Sequence, residues 1–478
     1  MVPNPFSALL LGIGLALSRV GLIAEDRARR ATELSWPRIV TGVARMSKSA
    51  ADVAMVGVAL GNAAIAGVGF AGPYWGAAFS LGGGLAAGTI ALVSQRFGAG
   101  AYDQLGQAIR SSAALTVAAT LPVAALFYLA PAALIGVLTD DPQAVRYGAD
   151  YLRVLAVGVP VAGLNLIGSR ALIGADDAWT AMVLRAGGAV LNVALNAVFI
   201  FVLGLGVVGA ALGTVVSNVV VVAAFAVGLT RGRLPLVGAF PVSISLTGRY
   251  WQSDTCRDVV SIGLPVVGRN SVWTVARFPL LAFVGLFGSP TVAAYIVTRR
   301  IWGIMNAPGW GFGLAASSLV GQELGKNDED TAASYGREIA RFSVASYAVA
   351  ALAVVAFAPE IVGLFVDDPS DPSVPIAVGM VYAAAAAIVP QGVTSAVAGA
   401  LDATGDTRWP FYSRIVGMFG LAIPLVYLGA TTGLGVLGIY LSFFAETVIP
   451  AAINYYRFAT GKWRAISRSY RPDAALDD

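Results

Sequence analysis

Leu92-Val93-Ser94-Gln95-Arg96-Phe97-Gly98 and Leu319-Val320-Gly321-Gln322-Glu323-Leu324-Gly325 are one motif written twice, 227 residues apart. Gly136 with Asp140-Asp141-Pro142 returns as Gly363 with Asp367-Asp368-Pro369 at the same offset of 227. Gly204-Leu205-Gly206-Val207 and Gly209 return as Gly433-Leu434-Gly435-Val436 and Gly438, offset by 229. A register that drifts so little marks one duplicated unit with a small insertion. Membrane proteins built from two repeats carry a site between them and rock one repeat against the other.

Working outward from the motif, the chain resolves into long apolar segments. Its 57% hydrophobic and 12% charged residues contrast with about 25% charge in a soluble domain. With a mean hydropathy of +0.75 this is the composition of a membrane protein. Segments of the ~17–25 apolar residues needed to cross a bilayer fall at 36–60, 66–94, 108–130, 145–170, 179–203 and 208–229. A second series falls at 256–285, 290–318, 337–358, 374–401, 409–430 and 435–458. The expected fold is therefore an all-α membrane protein of twelve transmembrane helices in two pseudo-symmetric six-helix bundles. The expected division is residues 1–35, a bundle over 36–229, a cytoplasmic linker over 230–255, a bundle over 256–458 and a tail over 459–478.

A formal charge of +4 invites a nucleic-acid reading, but the placement of the charges rejects it. Arg27, Arg29, Arg30 and Arg38 precede the first span, and Arg96, Arg110 and Arg170 follow the second and fourth. Arg231, Arg233 and Arg249 fill the linker, and Arg457, Lys462, Arg464 and Arg468 follow the last span. If helices alternate, all these loops share one side, while the opposite loops carry Asp140, Asp141, Glu360, Asp367 and Asp368. That is the positive-inside pattern, which puts both termini in the cytoplasm. Phe6–Ile23 is apolar but broken by Arg19 and lacks the flanks of a signal peptide, so a short interfacial helix is expected there, with a thirteenth span as the alternative.

One cysteine, Cys256, and no histidine exclude an internal disulfide, a thiolate metal cluster and an imidazole-ligated metal. Proton transfer must use carboxylates. No cofactor is expected, no metal is fixed by the residues, and the partners are a small solute, an ion and the bilayer. The chain is expected to act as a monomer.

Joined in order, the motifs resemble the multidrug and toxic compound extrusion (MATE) family. The likeness covers nearly the whole chain from Trp36 to Trp463. It rests on Pro37 followed by Asp52-Val53-Ala54-Met55-Val56-Gly57, on Val93-Ser94-Gln95-Arg96-Phe97-Gly98, and on Arg170-Ala171-Leu172-Ile173-Gly174-Ala175-Asp176-Asp177. Asn192 to Asn196, Gly206 to Thr214, Leu319 to Gly325 and Ala400 to Thr407 continue it. The resemblance implies a V-shaped exporter that exchanges an amphipathic solute for inward-moving Na⁺ or H⁺, in the cell membrane.

Asp52 is the first candidate for ion coupling. It follows Pro37 by 15 residues, roughly 22 Å along a helix, which places it deep in the bilayer. An intramembrane carboxylate is costly unless paired, hydrated or protonated, and is by default a functional group. It can take up H⁺ or Na⁺ and release it when its surroundings rehydrate. Lys48, four residues earlier on the same helical face, either neutralises Asp52 permanently or forms a pair that protonation opens. By resemblance, Asn192, Asn196 and Thr214 match positions that help form the cation site, with Tyr151 in the same cavity. Many relatives carry an aspartate where Asn196 stands. An amide can coordinate Na⁺, here with Asp52 and Asn192, but cannot carry a proton. The alternative role of the two asparagines is hydrogen-bonding between helices.

In the second half, some relatives place acids in the seventh and tenth spans. Here the seventh carries Arg269, Trp273 and Arg277 on one stripe, and the matching position in the tenth is Gln391. Arg299 and Arg300 in the eighth span and Glu446 in the twelfth complete the set. Four arginines against one glutamate predict a positive cavity that favours anionic or zwitterionic solutes, unless the arginines snorkel or pair. Trp75 and Trp302 occupy equivalent repeat positions (302 − 75 = 227) and either line the cleft or pack between helices.

A flippase for lipid-linked sugars shares the paired six-helix lobes and is the competing reading. An enzyme is not expected, because no nucleophile–base pair or metal set is spelled out. A primary pump lacks its Gly-rich Lys-Ser/Thr phosphate loop.

Overall fold

A computed structural model of the chain describes residues 5–235, 237–366, 368 and 370–472. Asp367 and Pro369, which complete the repeat of Asp140 and Pro142, lie outside the described residues. The chain opens with α1 (Pro5–Arg19). The first copy of the repeat is α2 (Glu25–Leu60), α3 (Asn62–Gly98), α4 (Tyr102–Leu129), the short α5 (Pro131–Gly136), α6 (Pro142–Gly174), α7 (Ala178–Ala197) and α8 (Gly206–Arg231). A π-helical turn over Val198–Val202 extends α7. The linker begins with a two-residue hairpin, β1 (Arg233–Leu234) against β2 (Gly238–Ala239). The second copy is α9 (Ser253–Gly285), α10 (Ser289–Met305), α11 (Ala307–Gly325), α12 (Glu329–Ala356), α13 (Ala358–Gly363), α14 (Ser373–Ile388), α15 (Gln391–Thr404), α16 (Arg408–Ile415), α17 (Ile423–Thr431) and α18 (Leu437–Ala459). A π-helical stretch, Val416–Ala422, joins α16 to α17, and α19 (Trp463–Arg468) closes the fold.

The helix ends reproduce the repeat. Asn62 and Gly98 bound α3, and Ser289 and Gly325 bound α10–α11, an offset of 227 at both ends (289 − 62; 325 − 98). The α4 and α12 ends are offset identically, as are those of α5 and α13. Among the described residues nine helices are long and apolar enough to cross a membrane, and α14–α15, bent by 41°, makes a tenth. The other two expected spans are present as long helices of a different kind. The 36 residues of α2 carry charges, and α10–α11 is interrupted at Asn306, whose side-chain oxygen accepts from the Tyr347 hydroxyl at 2.9 Å. Pro390 stands at the bend between α14 and α15, as expected for a residue that cannot donate to the helical ladder.

Two compact units are present. The N-unit is Val40–Val267, and the C-unit joins the described residues up to Ile39 to Gly268–Arg471. The divisions thus fall inside α2 and α9, where the sequence reading places boundaries at residues 35/36 and 255/256. The local cause is close helix approach at small residues. In the N-unit, a Cβ at Gly84 of α3 would meet the Gly263 carbonyl of α9 at 2.7 Å, and one at Gly88 the Val259 carbonyl at 2.5 Å. In the C-unit the repeat-equivalent residue Gly311 would meet the Ser35 carbonyl of α2 at 2.5 Å. Each unit therefore takes in the leading half of the helix that opens the other repeat.

Within the N-unit α6 packs on α3, α4 and α8, and α7 on α8. The linker is not loose here: Arg110 of α4 donates to the Ser245 carbonyl at 2.7 Å, and Gln107 to that of Arg249 at 2.8 Å. In the C-unit α11 packs on α12 and α15, and α18 on α14 and α15. The segment leading into α2 is tied down at Glu338 of α12, which accepts from the Ala24 amide at 2.9 Å and from Arg27 at 2.6 Å. The repeated Gln-Gly motif has a bracing role in the C-unit, since Gln322 accepts from Arg30 at 2.8 Å. Asp141, Asp177 and Asp328 cap α6, α7 and α12 with side-chain bonds of 2.8–2.9 Å.

Candidate functional site

In the N-unit, α2, α7 and α8 bring one acid, one base, two amides and a hydroxyl together. Asp52 is 6% exposed, and Asn192 and Asn196 are fully buried. One turn of α2 separates Lys48 from Asp52, so the lysine Nζ reaches Asp52 Oδ2 at 2.8 Å and Thr214 Oγ1 of α8 at 3.2 Å. One turn of α7 separates Asn192 from Asn196. Asn196 Nδ2 donates to Asp52 Oδ1 at 2.7 Å and approaches Asn192 Oδ1 at 3.4 Å, while Asn192 Nδ2 donates to Thr214 Oγ1 at 3.1 Å. Each carboxylate oxygen thus has its own donor, and the asparagine amide must point its NH₂ at Asp52 because its oxygen would be repelled. That leaves Asn196 Oδ1 buried without a partner. It faces Gly213, where a Cβ would lie 1.9 Å away, so this packing needs glycine at that position. Tyr151 of α6 packs beside the cluster, on the apolar group containing Val56, Val68, Ile200 and Val207.

The cluster pairs one negative with one positive charge, and the ammonium of Lys48 occupies the oxygen atoms that a free cation would use. Among the described residues no three acids or thiols gather as a metal site. The cluster is a buried ion pair in which Lys48 is held by the Asp52 carboxylate and, more weakly, by the Thr214 hydroxyl.

Beside the pair lies a cavity of about 120 Å³ lined by Thr41, Arg45, Lys48, Trp75, Phe79, Asn165, Arg185, Thr214, Ser217 and Asn218, with small residues between them. Trp75 therefore lines a cavity, whereas its repeat partner Trp302 does not share that environment. Trp302 is 3% exposed in the C-unit core and stacks on Phe443 at 5.5 Å.

Two of the four arginines expected in the C-unit cavity are held in ion pairs. Arg269 of α9 makes a two-pronged bond to Asp402 of α15, at 3.1 and 2.8 Å. Arg299 of α10 is paired with the fully buried Glu446 of α18, with a second bond of 2.8 Å, and donates to the Tyr295 hydroxyl at 2.8 Å. Trp273, Tyr295, Trp302 and Phe443 surround this guanidinium at 4.9–5.8 Å from ring centroids. Arg277 and Arg414 sit over Trp273 at 5.7 and 6.0 Å. Asp402 is thus a second counter-charge beside Glu446, of the two neighbouring arginines it is Arg299 that meets Glu446, and Arg300 is exposed. Gln391, 8% exposed at the α14–α15 bend, approaches Ser395 at 3.4 Å.

Sequence reasoning missed four of these residues. Arg45, Arg185 and Arg414 lie within expected spans, and an intramembrane cation was signal enough. Asp402 sits one residue past the expected span 374–401, and nothing local pairs it with a residue 133 positions away.

Comparison with known proteins matches this architecture. The MatE family model covers residues 37–198 and 265–428, one match in each repeat. A probable multidrug resistance protein NorM from Bradyrhizobium diazoefficiens is 25% identical over 437 residues, covering 89% of this chain and 91% of the relative. The uncharacterized transporter YisQ of Bacillus subtilis is 22% identical over 446 residues, covering 92% and 95%. A solved outward-facing multidrug resistance MATE family transporter of the MOP superfamily superposes with a TM-score of 0.82 at 22% identity, covering 92% of this chain and 96% of that one. A second structure, described as a MOP superfamily transporter from Pyrococcus furiosus with reverse polarity of its binding pocket, gives the same score. With a family match in both repeats and the repeated helices that the match requires, the chain belongs to the MatE family of multidrug and toxic compound extrusion transporters.

Proposed function

We propose that this protein is a secondary antiporter of the cell membrane that exports amphipathic solutes in exchange for inward-moving protons, by alternate opening of its two six-helix halves. Both termini lie in the cytoplasm. The family and the names of the NorM relatives support efflux of drug-like molecules. The arginine-rich loops support the orientation. The observation that carries the coupling is the Lys48–Asp52–Asn196 chain of bonds, a buried ion pair inside a span. Sodium would have to displace the Lys48 ammonium from Asp52 and Thr214, whereas a proton needs no coordination shell and acts on the carboxylate directly. Protonation neutralises Asp52, breaks its pair with Lys48, and shifts the balance between the two states of the helix bundle. Such intramembrane acids are the usual bearers of proton relays.

Solute efflux from proteoliposomes under separately imposed pH and Na⁺ gradients tests this reading. Efflux driven by the pH gradient and indifferent to Na⁺ is expected. Efflux driven by Na⁺ alone, or by neither, overturns it. Transport of a polyprenyl-linked sugar in place of drug-like molecules returns the flippase reading.

A further inference from the structure

The N-unit cavity beside the ion pair has a cationic wall. Arg45, Lys48 and Arg185 all line it, and no acidic residue does. Asp52, the nearby carboxylate, is engaged by Lys48 and Asn196. Arg185 of α7 is half-buried, its charged neighbours are Arg170 and Arg45, and its Nη1 is buried with no hydrogen-bond partner. A buried guanidinium nitrogen with no hydrogen-bond partner is costly, and a bound anion would supply one. The planar fork of arginine fits a carboxylate or phosphate edge-on. The remaining wall is aromatic. Arg45 lies over the Phe79 ring at 5.1 Å, and Trp75 and Phe79 also bound a small adjoining recess with Leu166.

We infer that this cavity binds the acidic group of an aromatic oxyanion, with Arg185 and Arg45 on the carboxylate or phosphate and Trp75 and Phe79 against the ring. A cavity of about 120 Å³ suits one ring-sized group, since an apolar cavity of about 150 Å³ takes benzene. The inference deepens the exporter reading and rests on it for treating the ligand as cargo. Binding itself needs no ion gradient. An anion leaving a cell with a negative interior also moves down the electrical potential.

The test is binding to the purified full-length protein without a gradient, by tryptophan fluorescence and calorimetry. The probes are benzoate, phenyl phosphate, benzylamine and benzyl alcohol. Both anions are expected to bind at least tenfold more tightly than the amine and the alcohol. Arg185→Gln is expected to weaken anion binding about tenfold to a hundredfold, as for a lost charged hydrogen bond. Arg185→Lys, which keeps the charge, should recover part of that loss, and Arg337→Gln on the exposed face of α12 should change nothing. Preference for benzylamine, unchanged anion affinity in Arg185→Gln and Arg45→Gln, or a loss confined to Arg337→Gln overturns the assignment. An Asp52→Asn protein that binds benzoate but ignores the pH gradient separates this inference from the coupling: the site stands while the exchange is lost.

Discussion

Gly213→Ala probes the coupling cluster without touching any of its polar groups. The new methyl carbon would lie 1.9 Å from Asn196 Oδ1 and 3.0 Å from its Cγ, so the amide must rotate away. Rotation breaks the 2.7 Å bond to Asp52, a hydrogen bond to a charged group worth about 1.5–3 kcal/mol. Overpacking adds about 1–3 kcal/mol. The expected destabilisation is therefore roughly 2.5–6 kcal/mol if both are lost in full. The ion concentration for half-maximal efflux should move by about tenfold or more, since 1.4 kcal/mol is a factor of ten. Gly187→Ala on α7 is the control: nothing lies within 4 Å of its Cβ position, and little change is expected. Adding Asn196→Ala removes the clashing amide, so the double variant should be less destabilised than the two single losses summed. Thermal unfolding and pH-driven efflux read the two effects. Single losses that add within about 0.5 kcal/mol, or a Gly213→Ala protein with wild-type melting and coupling, refute the reasoning.

Three further outcomes follow from the packing. Trp302→Ala should cost about 3–5 kcal/mol as a core truncation, whereas Trp75→Ala should alter solute affinity with a smaller loss in melting temperature; the reverse ranking by thermal unfolding and binding contradicts the two placements. Glu446→Gln should cost about 3 kcal/mol, because it leaves Arg299 without its buried counter-charge. Arg299→Met added to it should restore part of that stability, and a double variant no better than Glu446→Gln alone would show that the pair is not coupled. Asp328→Ala removes the bond to the Thr331 amide and should cost about 1 kcal/mol without altering transport, as read by chemical unfolding and efflux.

The duplication was legible because a helix that repeats must repeat its ends: the offset of 227 read from Leu92 and Leu319 is the offset of the α3 and α10–α11 termini. Asp52 and Lys48 were legible as a pair because helical spacing alone brings them together. Asn192 and Asn196 were placed by resemblance, and the bonds to Asp52 and Thr214 depend on how α7 and α8 rotate, which no spacing reports. The unit boundaries inside α2 and α9 were not legible either. They depend on Gly84, Gly88 and Gly311 admitting a neighbouring backbone, and a glycine in an apolar span gives no sign of what it faces. The Arg269–Asp402 pair failed for the same reason, being a contact between helices far apart in the chain.

The central claim is that the charge on Asp52 links proton movement to solute export. Counting protons and solute molecules together in proteoliposomes, for wild type and Asp52→Asn, tests it most directly. Coupled proton movement in wild type and none in Asp52→Asn, with solute binding retained, is the predicted result. An unchanged ratio of protons to solute in Asp52→Asn would contradict it.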